Sequence, residues 1–298
     1  MEQSNITNAM TVDVEDYFHA SALASAVAGT DPERRESRVE RNTHRLLELF
    51  DIRGVRATFF VLGWVAERFP ALVSDIATHG HEIACHGFSH ELIYNQKRDE
   101  FVDETRRALD SIQAACGARP KGYRAASYSV TKSSVWALEV LAELGFEYDS
   151  SIVPARHDLY GIVGAPSAPY TIELGGGKSI FEFPPSTISL LGYRLPIGGG
   201  GYFRIFPYAF SRWGMRRVNR AYRQPFAFYL HPWEIDPGQP RLDVPLKSRF
   251  RHYRNLEKFE PRLESLLEEF SFAPMGDVID GLRGGAVESC RLAELAAS

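Results

Sequence analysis

Short apolar runs alternate with amphipathic stretches along most of the chain. Ala9–Val14 is an apolar, β-prone run that ends in acidic residues, and it predicts a strand. A charged helical stretch follows over 31–50, with Leu46, Leu47 and Phe50 on one face. The same alternation predicts strands at Arg56–Val61, His81–Cys85, Lys121–Ala125 and Phe146–Asp149. Helical material separates them at Leu72–Thr78, Glu100–Cys116 and Ser133–Leu144. Gly145 directly after Leu144 is a helix stop, because glycine accepts the left-handed conformation. The later third is less regular: strands at Ser179–Phe183 and Thr187–Leu191 around Pro184-Pro185, a cationic helix Pro207–Tyr222, an apolar strand Phe226–Leu230 and a helix Leu256–Phe270. Strands apolar on both faces and separated by helices predict an α/β fold with a parallel sheet covered by helices. Six or seven such units in this length predict a closed or nearly closed barrel. No compositional linker divides it, so residues 1–298 are expected to form one domain, with the last ~60 residues as a C-terminal extension.

Composition narrows the function classes. The 298 residues are 44% hydrophobic and 24% charged, ordinary for a folded chain and incompatible with disorder. Lys+Arg 34 against Asp+Glu 38 leaves a net charge of −4, with both signs interspersed. Nucleic acid is therefore not expected as a partner, since it calls for a basic face. The most apolar early stretch, Ala57–Ala66, is too short for the ~20 residues of a membrane span. No secretory signal is visible at the start, and three scattered cysteines (Cys85, Cys116, Cys290) suit a reducing compartment or burial. Both point to a cytoplasmic protein, with the inner face of the membrane as a further location.

The chemistry-bearing residues follow the strands: Asp13, Glu15 and Asp16; His86 and His90; Arg124; Asp149; His231. In a parallel barrel these positions share the C-terminal face, where such folds build active sites. His86 and His90, four apart in Cys85-His86-Gly87-Phe88-Ser89-His90, would face the same side if they lie on one helical turn. Two imidazoles and a carboxylate make a hydrolytic metal site with room for water and substrate. Three acids in Asp13-Val14-Glu15-Asp16 repel one another, which a nearby cation relieves. Strand alternation puts Asp13 and Glu15 on one face and leaves Asp16 open as a ligand if the strand has ended. His231 after the most apolar strand has the chemistry of a general acid. Gly198–Gly201 reads as a mobile loop over the cleft, and Arg212, Arg216, Arg217 and Arg220 as a solvated helix face.

These pieces (TVDVEDYF, GHEIACHGFSH, GYRAASYSV, FEYDSS and FYLHPWE, in this order) resemble the polysaccharide deacetylase family, the NodB-homology or carbohydrate esterase family 4 group. The resemblance covers about residues 9–235. The Asp-x-Glu opening is similar to the Asp-x-Asp branch that holds peptidoglycan deacetylase-like enzymes and cyclic-amide hydrolases. IGGGGYFRIFP and HPWEIDP are similar to a subgroup associated with exosortase-linked exopolysaccharide loci. The resemblance implies a deformed (β/α)7 barrel and a divalent metal, usually Zn2+, on His86, His90 and either Glu15 or Asp16. It further implies Asp13 as catalytic base, Arg124 as its orienting partner, His231 as general acid and Asp149 as the partner of His231. Two departures stand out: alanines follow Arg124 where the family has proline, and Glu15 stands where it has aspartate.

The implied reaction removes N-acetyl groups from the amino sugars of an oligo- or polysaccharide, including a lipid-linked one. A backbone N–H near Tyr128 is expected to assist the metal at the oxyanion. Tyr17, Phe18, Tyr128, Tyr202 and Trp233 are candidates for stacking on sugar. A metal-dependent hydrolase of a cyclic amide or ureide, and a catalytically silent glycan-binding protein, are the competing readings.

Overall fold

The computed structural model describes residues 6–29, 31, 35–157 and 159–297. Its centre is a sheet built on β1 (Thr7–Val14), β2 (Thr58–Val61), β3 (Glu82–Cys85), β4 (Gly122–Tyr123) and β5 (Tyr148–Asp149). The later chain adds β6 (Tyr170–Gly175), β7 (Lys178–Glu182), a hairpin of β8 (Thr187–Leu190) and β9 (Tyr193–Pro196), and then β10 (Ala227–Leu230), β11 (Ser271–Ala273) and β12 (Glu288–Arg291). The sheet order is β10-β1-β2-β3-β4-β5-β7-β6-β12, with β11 on the start of β1. From β10 through β7 every pairing is parallel, and β6 alone runs antiparallel to β7. All of β2 and seven of the eight residues of β1 are buried, as expected for strands covered on both faces.

No ladder joins β7 to β10 among the described residues. Irregular backbone lines that seam instead: Ala227 N–H donates to Ser186 Oγ (2.9 Å), and Tyr229 N–H donates to the Gly198 carbonyl (2.8 Å). The result is a barrel-like α/β sheet with one unladdered seam.

Helices pack on the outside where the pattern predicts them, with their ends shifted by a few residues in most cases. Helix Arg98–Cys116 buries Phe101, Leu109 and Ile112, and helix Ala137–Glu143 ends before Gly145, whose φ is +91°. The expected 31–50 helix begins only at Val39, and its residues 32–34 lie outside the described residues. The cationic helix forms as Tyr208–Arg220, and its Arg212 and Arg216 pair with Glu269 rather than standing free in solvent. Helix Met275–Arg283 covers the N-terminal end of the sheet. Met275, Val278 and Ile279 pack there against Ala9, Phe60, Ala84 and Ala227. Its first N–H groups donate to Thr58 Oγ (2.6 Å) and Glu82 Oε2 (3.0 Å), which satisfies donors a helix start leaves unpaired. With that end sealed, the opposite end, where the strands' C-termini lie, carries the open cavity.

Candidate active site

The cavity has a volume of about 290 Å³, and Asp13, Glu15, His86, His90 and His231 line it. β1 runs straight to Val14 and then bends, with Glu15 N–H donating to the Asp13 carbonyl (2.9 Å). That bend turns both Asp13 and Glu15 into the cavity. Asp16 is drawn elsewhere. Its carboxylate caps the turn Tyr17–His19 and accepts from Ser37 Oγ (2.6 Å) and the Arg38 N–H (2.8 Å). Four donors saturate it, and the structure does not bring it to the histidines.

His86 and His90 do meet, with ring centroids 5.4 Å apart, but not through a helical turn. They sit on a loop after β3, where Gly87 (φ +76°) and His90 (φ +64°) take the left-handed conformation. For His90 that conformation is uncommon, and such backbone persists where surrounding packing imposes it. His86 Nδ1 lies 2.7 Å from the Arg124 carbonyl, which fixes Nδ1 as the protonated nitrogen and leaves the Nε2 lone pair facing the cavity. Burial pushes the His86 imidazole down to about 4, so it is neutral and able to ligate.

Glu15 Oε2 lies 2.8 Å from His90 Nε2 and 4.0 Å from His86 Nε2. Burial alone would raise this carboxyl; the histidine charges of His90 and His231 more than offset it and hold it below the usual range. One ligand atom from each of Glu15, His86 and His90 lies within 4.8 Å of the others. A buried carboxylate and two imidazoles converging on one point are a donor set that fits one divalent metal.

Arg124, after β4, is 1% exposed and spans the interior. Nη1 donates to Asp13 Oδ1 (2.6 Å) and Thr11 Oγ (2.9 Å), and Nη2 donates to Ser150 Oγ (3.0 Å). The second Asp13 oxygen faces His231 Nε2 at 3.9 Å. One oxygen is thus tied to a permanent cation while the other points into the cavity.

Asp149 is not the partner of His231. It is fully buried, accepts from Ser151 Oγ (2.6 Å), and pairs in register with Glu182 on β7. Burial raises both carboxyls, Asp149 to about 6 and Glu182 well above its ordinary value. Ser151 Oγ in turn accepts from the Ala125 N–H (2.8 Å), so this acid pair braces the backbone next to Arg124.

The partner of His231 is Glu234, which the sequence reading missed. Oε2 lies 3.2 Å from His231 Nδ1 and accepts the His231 N–H at 3.1 Å. Glu234 is itself pinned by Arg204 Nε (2.8 Å), a pair buried to 1% exposure or less. Pro232 opening the turn with glutamate at its third position is a capping-box pattern, and it was the available signal. Burial opposes a charged His231, but Glu15 and Glu234 raise it to about 9. Trp233 stacks on His231 and donates to Glu15 Oε1 (3.2 Å), tying this wall to the Glu15–His86–His90 cluster.

One expectation fails here on geometry. Gly198–Gly200 is buried rather than arched over the cleft: Gly199 bridges Tyr229, and a Cβ on Gly200, which opens helix Gly200–Ile205, would overlap the Glu234 carboxylate. Near the cavity the N–H of Tyr128 itself donates to the Ala125 carbonyl (3.0 Å). Among the proposed stacking aromatics, Tyr128, Tyr202 and Trp233 line the cavity, whereas Tyr17 and Phe18 are buried behind it in the apolar cluster that also holds Trp233.

Residues 32–148 match the polysaccharide deacetylase family, and residues 150–280 match a domain of unknown function, DUF3473. The chain is 32% identical over 98 residues to the peptidoglycan-N-acetylglucosamine deacetylase of Bacillus cereus, which is 33% of this chain and 36% of that protein. It therefore spans well under two thirds of that relative. A solved structure described as a putative polysaccharide deacetylase from Mycobacterium smegmatis superposes with a TM-score of 0.62 at 21% identity, over 97% of this chain and 95% of that one. Puue allantoinase shares the fold at a TM-score of 0.58 and 15% identity, over 93% and 89%.

Proposed function

We propose that this chain, which belongs to the polysaccharide deacetylase family, is a metal-dependent hydrolase that removes N-acetyl groups from the amino sugars of an oligo- or polysaccharide. The observation that carries the reading is the meeting of three groups in one cavity: Glu15, His86 and His90; Asp13 with Arg124; and His231 with Glu234.

A divalent metal, zinc by the donor set, would be held by Glu15, His86 and His90, where it would polarise the amide carbonyl and acidify water. Asp13 takes the water's proton on the oxygen that Arg124 leaves free. Arg124 orients Asp13, because one oxygen is fixed by a charge-assisted hydrogen bond. His231, protonated and held by Glu234, gives its proton to the departing sugar nitrogen, which would otherwise leave as an unstable anion. Acetate and a free amino sugar result; Asp13 then holds one extra proton and His231 lacks one, and exchange of those protons with solvent returns both residues to their starting forms. Tyr128 and Tyr202 line the cavity and offer their rings to the sugar, while Trp233 is stacked against His231 and His252. Exopolysaccharide under synthesis, including a lipid-linked precursor, is the proposed substrate, consistent with the weakly charged chain.

Acetate release from N-acetylated chito-oligosaccharides and exopolysaccharide, with and without chelator, tests the reading. Release that stops with chelator and returns with zinc is expected. Metal-loaded protein that deacetylates no glycan but opens a cyclic amide would replace it.

A further inference from the structure

Residues 241–254 are strongly basic: Arg241, Lys247, Arg249, Arg251 and Arg254 stand against a single carboxylate, Asp243. Among the described residues none of these five cations is in an ion pair, whereas the arginines of helix Tyr208–Arg220 that face Glu269 are paired with it. Most of the stretch forms helix Leu246–Tyr253, whose His252 and Tyr253 are buried. The outward side carries two stripes. Leu246 and Phe250, one turn apart, are 83% and 50% exposed, and Lys247 and Arg251 run alongside. Arg251 lines the mouth of the active-site cavity, and so does Leu159, itself 43% exposed. Leu159 and Arg251 thus sit at the opening, and the helix that carries Arg251 presents Leu246 and Phe250 to solvent beside cations that make no ion pair among the described residues.

We propose that this rim docks the enzyme on an anionic lipid bilayer, with helix Leu246–Tyr253 lying in the headgroup region. A basic helix with an exposed apolar stripe is the pattern of an interfacial helix, and each cation near an anionic leaflet adds attraction. The apolar stripe decides between partners. An acidic glycan would satisfy the cations but leave Leu246 and Leu159 in water, whereas a bilayer accepts both. No helix among the described residues is long and apolar enough to cross a membrane, so attachment of this kind would be peripheral and reversible. Docking at the mouth turns the cavity toward glycans still attached to lipid. Only this purpose, not the binding itself, rests on the deacetylase reading.

Sedimentation with sucrose-loaded vesicles of phosphatidylcholine, with and without ~30% phosphatidylglycerol, reads the docking directly. The full chain is expected to sediment with the anionic vesicles only, and less so as salt rises from ~0.1 M to ~0.5 M. Lys247→Glu/Arg249→Glu and, separately, Leu246→Ser/Phe250→Ser should each lower vesicle affinity at least ~10-fold. Both double variants should keep the wild-type circular dichroism spectrum and wild-type acetate release from a short soluble oligosaccharide. Wild-type protein that stays in the supernatant with anionic vesicles overturns the proposal, as does either variant binding like wild type. Vesicle binding by a protein that releases no acetate would uphold the docking while removing the deacetylase reading.

Discussion

Glu234 Oε2 lies 3.2 Å from Nδ1 of His231, and that distance ties the geometry of the proposed general acid to a buried ion pair with Arg204. The carboxylate fixes which imidazole nitrogen carries the internal hydrogen bond and leaves Nε2 facing Asp13 and Glu15. Arg204 is spent on orientation: beyond Glu234, it donates to the carbonyls of His252 and Arg254.

Two variants reach that contact from different sides. Glu234→Gln removes the charge that holds His231 protonated, and kcat for N-acetylated oligosaccharides should fall ~100-fold with KM little changed. Gly200→Ala should lower kcat in the same way, because its new Cβ displaces the Glu234 carboxylate without touching the substrate. Steady-state kinetics measure both; wild-type kcat in either variant would separate His231 from Glu234.

Glu15 and Asp16 are neighbours with different work, and metal analysis distinguishes them. Glu15→Ala should weaken zinc affinity by at least ~100-fold, measured by competition with a chromogenic chelator, since a ligand and its packing are lost together. Asp16→Ala should retain zinc but lose a cap, at a cost of about 0.5–2 kcal/mol in denaturant unfolding. The reverse pattern would exchange the assignments.

The buried Asp149–Glu182 pair makes stability depend on pH. Glu182 ionises near 4.5 in the unfolded chain but well above that in the fold, where burial and Asp149 oppose its charge. Its contribution is complete below pH ~4.5, and stability then declines with rising pH by up to about 1.4 kcal/mol per pH unit until the folded group ionises. Glu182→Gln keeps a donor toward Asp149 and abolishes that slope. Its stability relative to wild type should therefore climb between pH 5 and pH 8 in urea titrations. A constant difference across that range would show that Glu182 is already charged in the fold.

The site residues differ in how far sequence could reveal them. Asp13, His86, Arg124 and His231 each follow an apolar run, and such runs identify strand ends without any knowledge of pairing. The choice of Glu15 over Asp16 was half legible: alternation put Glu15 on the face of Asp13, but only the bend after Val14 and the four donors around Asp16 settle the orientation in the fold. Glu182 carried no signal, because β5 and β7 are brought into register across the intervening β6. Asp149 was misassigned for the same reason, its neighbours being fixed by strand pairing.

Apolar periodicity and the spacing of polar residues thus determined the α/β class, the order of the first five strands and the helices between them, and the set of groups placed at one end of the sheet. Those are consequences of local geometry, which a linear pattern records. Tertiary structure alone decided which carboxylate meets which histidine, that the glycine run is packed against Glu234, and that the basic helix Leu246–Tyr253 borders the cavity. Each of those depends on groups far apart in the chain coming within a few ångströms, and no local periodicity encodes such a distance.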